Sequence, residues 1–289
     1  MDSRSFDTVS LDGAPARDAI LDRLSTRISA AGSPRIVLAT VLVGDDGPSQ
    51  RYVVSKHRTA HQIGIESVRV DLAADTPQHV LEAEVARLAA DPGVHGILVQ
   101  MPLPAHLDPE RVLELIPADK DVDGLTTASL GRLVRDVPGH VGCTPLGVLR
   151  LLQHNGIETA GRHAVVVGRS TLVGLPLSVL LARRGIDCTV TLAHSRTHDL
   201  AAVCRTADIL VSATGAERSI GADHVKPGAV LVDVGISRTD AGIVGDIDAD
   251  AVNGIASALT PMPGGTGLMT VACLMENTIA AAVMQGIRV

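Results

Sequence analysis

Short apolar runs rich in β-branched residues alternate along the chain with segments of helical periodicity. Runs such as AVVVG and AVLVDVG are apolar at consecutive positions, as expected of strands that are covered on both faces. Strand-like runs that alternate with helical segments favour parallel sheets with helices packed against them. The pattern predicts strands at 36–43, 67–72, 96–100, 163–167, 188–193, 208–213 and 229–234, and helices at about 49–63, 77–90, 109–115 and 173–184.

A polar segment with glycine and proline, DVPGHVGCTP, separates the first series of elements from the second. Such segments are typical of domain boundaries, and we place one near residues 139–145. The sequence therefore predicts an α/β protein with two domains.

Composition narrows the possible partners. The 289 residues include 25 basic and 32 acidic side chains, a net charge of −7, and the only aromatic residues are Phe6 and Tyr52. Binding to a nucleic acid backbone needs a basic surface, and base stacking needs aromatic rings. We therefore do not expect nucleic acid as a partner.

The four cysteines have neither CxxC spacing nor a zinc-finger arrangement, so we expect reduced thiols and no metal site. The N-terminal residues are polar and do not resemble a signal peptide. The apolar segment 270–287 is interrupted by Glu276, Asn277 and Gln285, which favours a packed helix over a membrane span. These features predict a cytoplasmic protein without a membrane partner.

A strand, a glycine-containing turn and a helix follow one another in AVVVGRSTLVGLPLSVLLARRG. The GxGxxG fingerprint of dinucleotide-binding domains is absent, and Gly168, Ser170 and Gly174 occupy the corresponding region. Gly168 can form the sharp turn and Gly174 can bring the helix close to the sheet, while the Ser170 hydroxyl is a candidate phosphate ligand. An ordinary strand-to-helix turn is the alternative.

The end of the next predicted strand indicates the cofactor. His194, Ser195 and Arg196 lie 20 to 22 residues after Gly174, where NAD-binding domains place a carboxylate for the ribose hydroxyls. No carboxylate occurs between residues 189 and 197, and these three side chains suit a 2′-phosphate. Arg169 can add a second positive charge. The sequence therefore favours NADP over NAD.

Only three of the 25 basic residues are lysines, and one of them, Lys56, lies four residues after Tyr52. On a helix this spacing places both side chains on one face. A desolvated lysine can lose its proton and act as an acid or base, and a tyrosine ring can stack on a planar ligand. A surface helix with an amphipathic lysine is the alternative on spacing alone.

Three further segments carry candidate binding groups. Gln100 ends a predicted strand and can bind Lys56 or a substrate, although a strand cap would look the same. The loop PADKDVDGL holds Asp119, Asp121 and Asp123, which suit either a metal or the paired donors of an amino-heterocycle, but an EF-hand pattern does not follow. The loop TPMPGGTGLMT can approach a ligand with its backbone or merely connect domains.

Taken in order, these segments resemble those of one family, the bifunctional NADP-dependent methylenetetrahydrofolate dehydrogenase/methenyltetrahydrofolate cyclohydrolases. The resemblance extends over almost the whole chain. It is carried by LDG, YVVSK, GILVQMPLP, KDVDGL, CTPLG, VVGRSTLVGLPLSVLL, HSRT, ADILVSATG, GAVLVDVGISR, GDID and TPMPGG with MT after it.

The resemblance implies roles for individual residues. Lys56 would be the catalytic lysine, supported by Gln100, with Tyr52 stacking on the folate and Asp123 holding the amino edge of the pterin. The residues implied to contact NADP are Gly168, Arg169, Ser170, Ser195 and Ile236.

The resemblance also implies the overall organisation. Residues 1–140, completed by the C-terminal helix 267–289, would form the folate-binding and catalytic domain, and residues 141–266 would form a Rossmann-like NADP-binding domain. Tetrahydrofolate derivatives would be the ligands, and the protein would be a homodimer in one-carbon metabolism, including purine biosynthesis.

Four positions depart from the family pattern: Thr266 replaces valine, Leu268 proline, Ser129 asparagine and Gly142 proline. They leave the implied catalytic residues unchanged. We expect them to affect either substrate affinity or the balance between the dehydrogenase and cyclohydrolase activities. The alternatives are a different two-domain NADP dehydrogenase, which would leave Tyr52, Lys56 and Asp123 without a joint purpose, and a nucleotide-binding paralogue without turnover.

Overall fold

The computed structural model describes residues 6–239 and 242–289, and the chain divides into two compact units. One unit, here called the three-stranded unit, comprises Asp18–Cys143 and Val271–Val289. The other, the six-stranded unit, comprises the described residues up to Arg17 together with Thr144–Thr270.

The strands are β1 (Val9–Ser10), β2 (Val37–Val43), β3 (Glu66–Leu72), β4 (Gly96–Val99), β5 (His163–Val167), β6 (Thr189–Ala193), β7 (Ile209–Ser212), β8 (Val230–Asp233), β9 (Ser237–Thr239), β10 (Gly242–Val244) and β11 (Ala258–Leu259). The helices are α1 (Gly13–Ala30), α2 (Gly47–Gln62), α3 (Gln78–Ala90), α4 (Pro109–Leu113), α5 (Thr127–Val134), α6 (Cys143–His154), α7 (Gly174–Ala182), α8 (Leu200–Cys204), α9 (Ala249–Val252) and α10 (Thr266–Met284), and Ala222–His224 forms a 3-10 turn.

The three-stranded unit is built around a parallel sheet in the order β3-β2-β4. The central strand β2 is buried at all seven positions, which explains why six of its seven residues are apolar, with Thr40 as the exception. One face of this sheet packs against α3 through Leu81, Val85 and Leu88. Helix α2 begins directly after β2, where Asp46 caps it by accepting a hydrogen bond from the Ser49 amide at 2.9 Å.

The six-stranded unit contains a parallel sheet in the order β1-β11-β8-β7-β5-β6. Its inner strands β5, β7 and β8 are largely apolar and almost entirely buried, and β7 and β8 end on the buried polar residues Ser212 and Asp233. Strands β6 and β7 lie on opposite sides of β5, which is the strand order of a Rossmann-like fold. Strands β9 and β10 form a separate antiparallel pair.

The N-terminal residues differ from the predicted domain boundaries, because they lie in the six-stranded unit and not with residues 18–140. Strand β1 pairs with β11, with Val9 opposite Ala258, and the Leu11 amide donates to the Leu259 carbonyl at 2.9 Å. A two-residue strand has no recognisable period, and its pairing partner is distant in sequence, so no local pattern could indicate this contact.

The predicted α/β class with parallel sheets is confirmed. All seven predicted strands are present with ends within one residue, and the four predicted helices agree within two residues. The prediction did not include the helices α1, α5, α6, α8 and α9, the strands β1 and β11, or the pair β9–β10.

Helix α10 is the single helix in the described part of the chain that is long and apolar enough to cross a membrane. Within the most apolar 18-residue stretch of this helix, 61% is buried inside the protein, as expected of a core helix. Its polar Asn277 side chain donates to the carbonyls of Val122 and Val141 at 2.8 and 2.9 Å. The predicted packed helix at the C-terminus is therefore present.

Candidate active site

Lys56 is buried in the three-stranded unit, with 4% of its surface exposed. Its Nζ donates a hydrogen bond to Gln100 Oε1 at 3.0 Å and lies 4.5 Å from the centre of the Tyr52 ring. Burial lowers the pKa of Lys56 below its usual value, while the charge of Asp123 acts in the opposite direction. The amine is thus held in an environment where it can exchange a proton.

Gln100 is oriented by its position at the end of β4. Its backbone amide donates to the Val41 carbonyl at 2.8 Å, which continues the pairing of β4 with β2. Its side-chain Nε2 donates to the Met101 carbonyl at 2.6 Å, and this directs Oε1 towards Lys56. The amide can therefore accept from the lysine without rotating.

Asp123 is the carboxylate of the acidic loop that interacts with Lys56. Burial raises the pKa of Asp123, whereas Lys56 and a hydrogen bond with Cys143 lower it. The other two acidic residues of the loop are used differently: Asp121 accepts from the amides of Leu125 and Thr126, and the Asp119 carbonyl contacts His140. In the described residues no three His, Cys, Asp or Glu side chains are grouped to hold a metal ion.

Cys143 belongs to this cluster, although sequence reasoning did not single it out. Burial raises the pKa of the Cys143 thiol well above its usual value, so the thiol keeps its proton. Its Sγ donates to the Val122 carbonyl at 3.2 Å and also interacts with Asp123. The position of CTPLG in the sequence could have indicated this residue, but its contact with Asp123 depends on the fold.

The six-stranded unit carries the turn that the sequence suggested for phosphates. Gly168, directly after β5, has a φ of +125°, and a Cβ at Gly174 would overlap the Gly168 carbonyl oxygen. The Ser170 hydroxyl accepts from the Val173 amide at 3.2 Å at the start of α7, and Arg169 and Ser170 are exposed. A turn with glycine at both ends beside a helix N-terminus, with a hydroxyl and a guanidinium exposed on it, fits a phosphate group.

His194, Ser195 and Arg196 form a tight turn after β6. The His194 amide donates to Thr197 Oγ1 at 2.9 Å, and His194 Nδ1 accepts from the Arg196 amide at 3.1 Å. The imidazole therefore shapes the turn through Nδ1, while Ser195 and Arg196 are exposed. Ile236, three residues after β8, is also exposed (55%).

The nucleotide candidates share one edge of the sheet. Strands β5, β6 and β8 are parallel, so the segments that follow their carboxyl ends all lie at the same side. Dinucleotides bind at this edge in open parallel sheets.

The four departures from the family pattern have defined places. Thr266 is buried and its hydroxyl donates to the Asp233 carbonyl at 2.9 Å. Ser129 is buried in the first turn of α5, where its amide donates to Thr126 Oγ1 at 3.1 Å. Gly142 lies beside Gly124, and Leu268 lies in the first turn of α10.

One unit holds the buried Lys56 among Tyr52, Gln100 and Asp123. The other has a Rossmann-like sheet with exposed arginines at the edge where dinucleotides bind in such folds. Together these features are typical of a two-domain α/β dehydrogenase. Two family models identify it further. The catalytic domain of the tetrahydrofolate dehydrogenase/cyclohydrolases matches residues 11–123, and their NAD(P)-binding domain matches residues 142–286. The chain belongs to the tetrahydrofolate dehydrogenase/cyclohydrolase family and is an enzyme.

Individual relatives agree with this assignment. The chain is 53% identical over 245 residues to a bifunctional protein FolD 2 of Frankia alni, covering 85% of this chain and 84% of that protein. The crystal structure of the bifunctional FolD of Campylobacter jejuni superposes with a TM-score of 0.92 at 39% identity, covering 96% and 99% of the two chains. The Trypanosoma brucei enzyme, solved with NADP and an inhibitor, has a TM-score of 0.89 at 35% identity, with 96% and 98% covered.

Proposed function

We propose that this chain uses NADP⁺ to oxidise 5,10-methylenetetrahydrofolate to 5,10-methenyltetrahydrofolate and then hydrolyses that product to 10-formyltetrahydrofolate. The observation that carries the proposal is the buried Lys56 amine, which is bonded to Gln100, lies over Tyr52 and faces Asp123. Family membership supports both activities. The different two-domain dehydrogenase considered from the sequence is thereby excluded.

The oxidation requires alignment more than acid or base catalysis. When bound, NADP⁺ accepts a hydride from the methylene carbon of the folate. The protein's contribution is to hold the two rings in a reactive geometry. We assign the folate to the three-stranded unit, where Tyr52 offers its ring for stacking and Asp123 accepts paired hydrogen bonds from the amino edge of the pterin.

The hydrolysis uses Lys56. Water adds to the methenyl carbon, and the neutral amine accepts the proton that the water loses. The bond between this carbon and the N5 nitrogen then breaks as Lys56 returns the proton to N5. The hydroxyl of the adduct releases its remaining proton to solvent as it becomes a carbonyl, which leaves the formyl group on N10. Gln100 Oε1 keeps the amine in place through the bond at 3.0 Å. A cationic substrate beside the amine would lower the pKa of Lys56 further.

We assign cofactor binding to Gly168, Arg169, Ser170, His194, Ser195, Arg196 and Ile236. The glycine turn and the Ser170 hydroxyl suit the pyrophosphate, and the exposed Ser195 and Arg196 suit the 2′-phosphate. His194 supports the second turn through its contact with the Arg196 amide.

We also propose the finer biological setting that the family implies. The protein would act as a cytoplasmic homodimer in one-carbon metabolism and supply formyl groups for purine biosynthesis. Residues 18–143 and 271–289 would carry the folate site, and residues 144–270 the cofactor site.

The test compares Lys56→Ala with Lys226→Ala in purified protein. Lys226 is a lysine of the six-stranded unit, where it pairs with Asp208 at 2.6 Å. Cofactor reduction with methylenetetrahydrofolate should prefer NADP⁺ over NAD⁺ in the wild type. Lys56→Ala should lower the catalysed decay of methenyltetrahydrofolate by about a hundredfold or more with NADP⁺ affinity retained, and Lys226→Ala should leave it unchanged.

Each assay can contradict the proposal. Folded wild-type protein that binds NADP⁺ but shows neither activity would indicate a paralogue without turnover. Hydrolysis at the wild-type rate in Lys56→Ala would refute the role of Lys56 alone.

A further inference from the structure

Two carboxylates are buried at the carboxyl edge of the six-stranded sheet. Asp233 is the last residue of β8 and Asp246 follows β10 by two residues, with exposed fractions of 2% and 0%. Their hydrogen-bond donors are backbone amides and a serine hydroxyl. Burying carboxylates on neutral donors costs free energy, so a functional reason for both is worth seeking.

Asp246 organises the loop that follows β7. Its Oδ2 accepts from Ser212 Oγ at 2.9 Å, from the Thr214 amide at 2.6 Å and from the Gly215 amide at 3.3 Å. One oxygen atom therefore determines the course of the chain from the end of β7 to Gly215.

Asp233 joins the loop after β8 to the segment that carries Asp246. Its Oδ1 accepts from the Gly235 amide at 3.0 Å and from the Asp246 amide at 3.1 Å, and its Oδ2 accepts from the Ile247 amide at 2.9 Å. The two carboxylates thus connect three segments: residues 212–215, 233–235 and 246–247.

The backbone closes directly over these carboxylates. A Cβ at Gly235 would overlap Asp246 Oδ1, and a Cβ at Gly245 would overlap Asp233 Oδ2. Asp246 Oδ1 is itself buried without a hydrogen-bond partner in the described part of the structure. Because Gly235 rests on this oxygen and precedes the exposed Ile236, a change at Asp246 alters the loop that presents Ile236.

The strand order indicates which part of the cofactor these loops meet. In a Rossmann-like sheet the glycine turn after the first strand holds the pyrophosphate, and the end of the second strand holds the adenosine ribose. Here these strands are β5 and β6, whereas β7 and β8 lie on the other side of β5. The loops after β7 and β8 are therefore left for the nicotinamide half.

We infer that Asp246, bound to Asp233, is a positioning residue for the dehydrogenase reaction, which holds the loops 213–215 and 234–237 in the shape that orients the nicotinamide ring. The inference rests on the proposed function, because only the oxidation step uses that ring. Hydrolysis at Lys56 does not depend on it.

The test is Asp246→Asn, with Asp248→Asn as the matched control. Asp248 lies two residues away, undergoes the same change of charge and caps α9 through the Ala251 amide, a role that asparagine also fills. In Asp246→Asn the dehydrogenase kcat should fall about tenfold or more, because misorientation of reacting groups is costly. NADPH affinity, measured by fluorescence titration, should stay within about threefold of the wild type.

The two activities separate this inference from the proposed function. Cyclohydrolase turnover of Asp246→Asn should equal that of the wild type and of Asp248→Asn. A wild-type dehydrogenase kcat in Asp246→Asn would overturn the inference. So would equal losses of both activities and of NADPH binding, which would indicate a general role in folding. Absence of both activities from the wild type would refute the proposed function and the inference with it.

Ser212→Ala provides a second variant for the case that Asp246→Asn does not fold. It removes one of the three donors to Asp246 Oδ2 and no charge. The dehydrogenase kcat should fall by about twofold to fivefold while NADPH affinity and cyclohydrolase turnover are unchanged. An unchanged kcat in a folded Ser212→Ala protein would overturn the inference.

Discussion

At the scale of single residues, the three lysines show how environment decides what one side chain does. Lys226 forms an ion pair with Asp208 near the surface. Lys120 donates to the carbonyls of Ala89 and Asp91 at 2.9 and 2.7 Å and so caps the C-terminal end of α3. Lys56 alone combines deep burial with an aromatic ring and a polar partner at the end of a strand.

The proposed role of Lys56 as a base, together with its burial, predicts how the hydrolysis depends on pH. Since burial lowers the pKa of Lys56 from 10.5, the amine becomes a neutral base at a lower pH than a free lysine. The cyclohydrolase kcat, corrected for spontaneous hydrolysis, should therefore rise with pH and level off below 10.5. A rate independent of pH, or one that falls as pH rises, would contradict a neutral amine as the base.

The same lowered pKa affects stability, with a definite sign. At pH values between the lowered pKa of folded Lys56 and 10.5, the unfolded chain binds more protons at Lys56 than the folded chain does. The unfolding free energy therefore increases as the pH rises through this range. Denaturant unfolding of the wild type should show this rise more steeply than that of Lys56→Met, which has no proton to lose. Equal slopes would mean that the pKa of Lys56 is not lowered.

At the scale of elements, the glycines of α5 and of the start of α7 differ in the space that surrounds them. Gly131 lies inside α5 with open space around it, so an added methyl group meets nothing. Gly174 begins α7 against the Gly168 carbonyl, and a Cβ there would overlap it. In α5 the glycine lowers helix stability through its backbone entropy and no contact requires it. In α7 the glycine is required because a side chain would overlap the turn after β5.

The substitution of alanine at these two glycines should therefore have opposite effects. Gly131→Ala should raise the unfolding free energy by about 0.5–1 kcal/mol, because alanine is the better helix former. Gly174→Ala should lower it by about 1–3 kcal/mol and weaken NADP⁺ binding, because the turn after β5 must move. Denaturant titration and cofactor titration measure both, and a stabilised Gly174→Ala would refute the close-packing argument.

At the scale of the whole molecule, the net charge does not describe the charge of each part of the surface. The chain carries a net charge of −7, yet the edge assigned to the cofactor presents Arg169 and Arg196 at the surface. A local pair of guanidinium groups can bind phosphates in an acidic protein, because charge–charge interactions weaken within about 10 Å at moderate salt.

Ligand-linked stability of the whole protein tests this assignment. A ligand at about a hundred times its Kd adds about 2.7 kcal/mol to the folded state, so NADP⁺ should raise the melting temperature more than NAD⁺. The double variant Ser195→Ala and Arg196→Ala should remove most of that difference. Arg184→Ala, at the opposite end of α7, should keep it. Equal losses for both cofactors would refute the assignment of the 2′-phosphate to these residues.

Local pattern determined much of the fold and suggested the residues that we propose for the cofactor site. The apolar runs of β2, β5, β7 and β8 identify strands because a strand covered on both faces is apolar at most consecutive positions and does not alternate with polar ones. The Ser195–Arg196 segment was proposed for the cofactor because it follows a strand at a characteristic distance. Helix α5 was not found, since eight residues make a short segment in which to recognise helical periodicity and its central glycine is a poor helix former.

What the sequence determined by itself is therefore what depends on neighbours along the chain: the class of fold, most element boundaries, the glycine turn after β5 and the pairing of Tyr52 with Lys56 one helical turn apart. Tertiary structure decided the rest, because it depends on residues that are distant in sequence. It placed β1 beside β11, selected Asp123 from three acidic residues, brought Cys143 to it, and joined Asp233 to Asp246 beneath the loops of the cofactor edge.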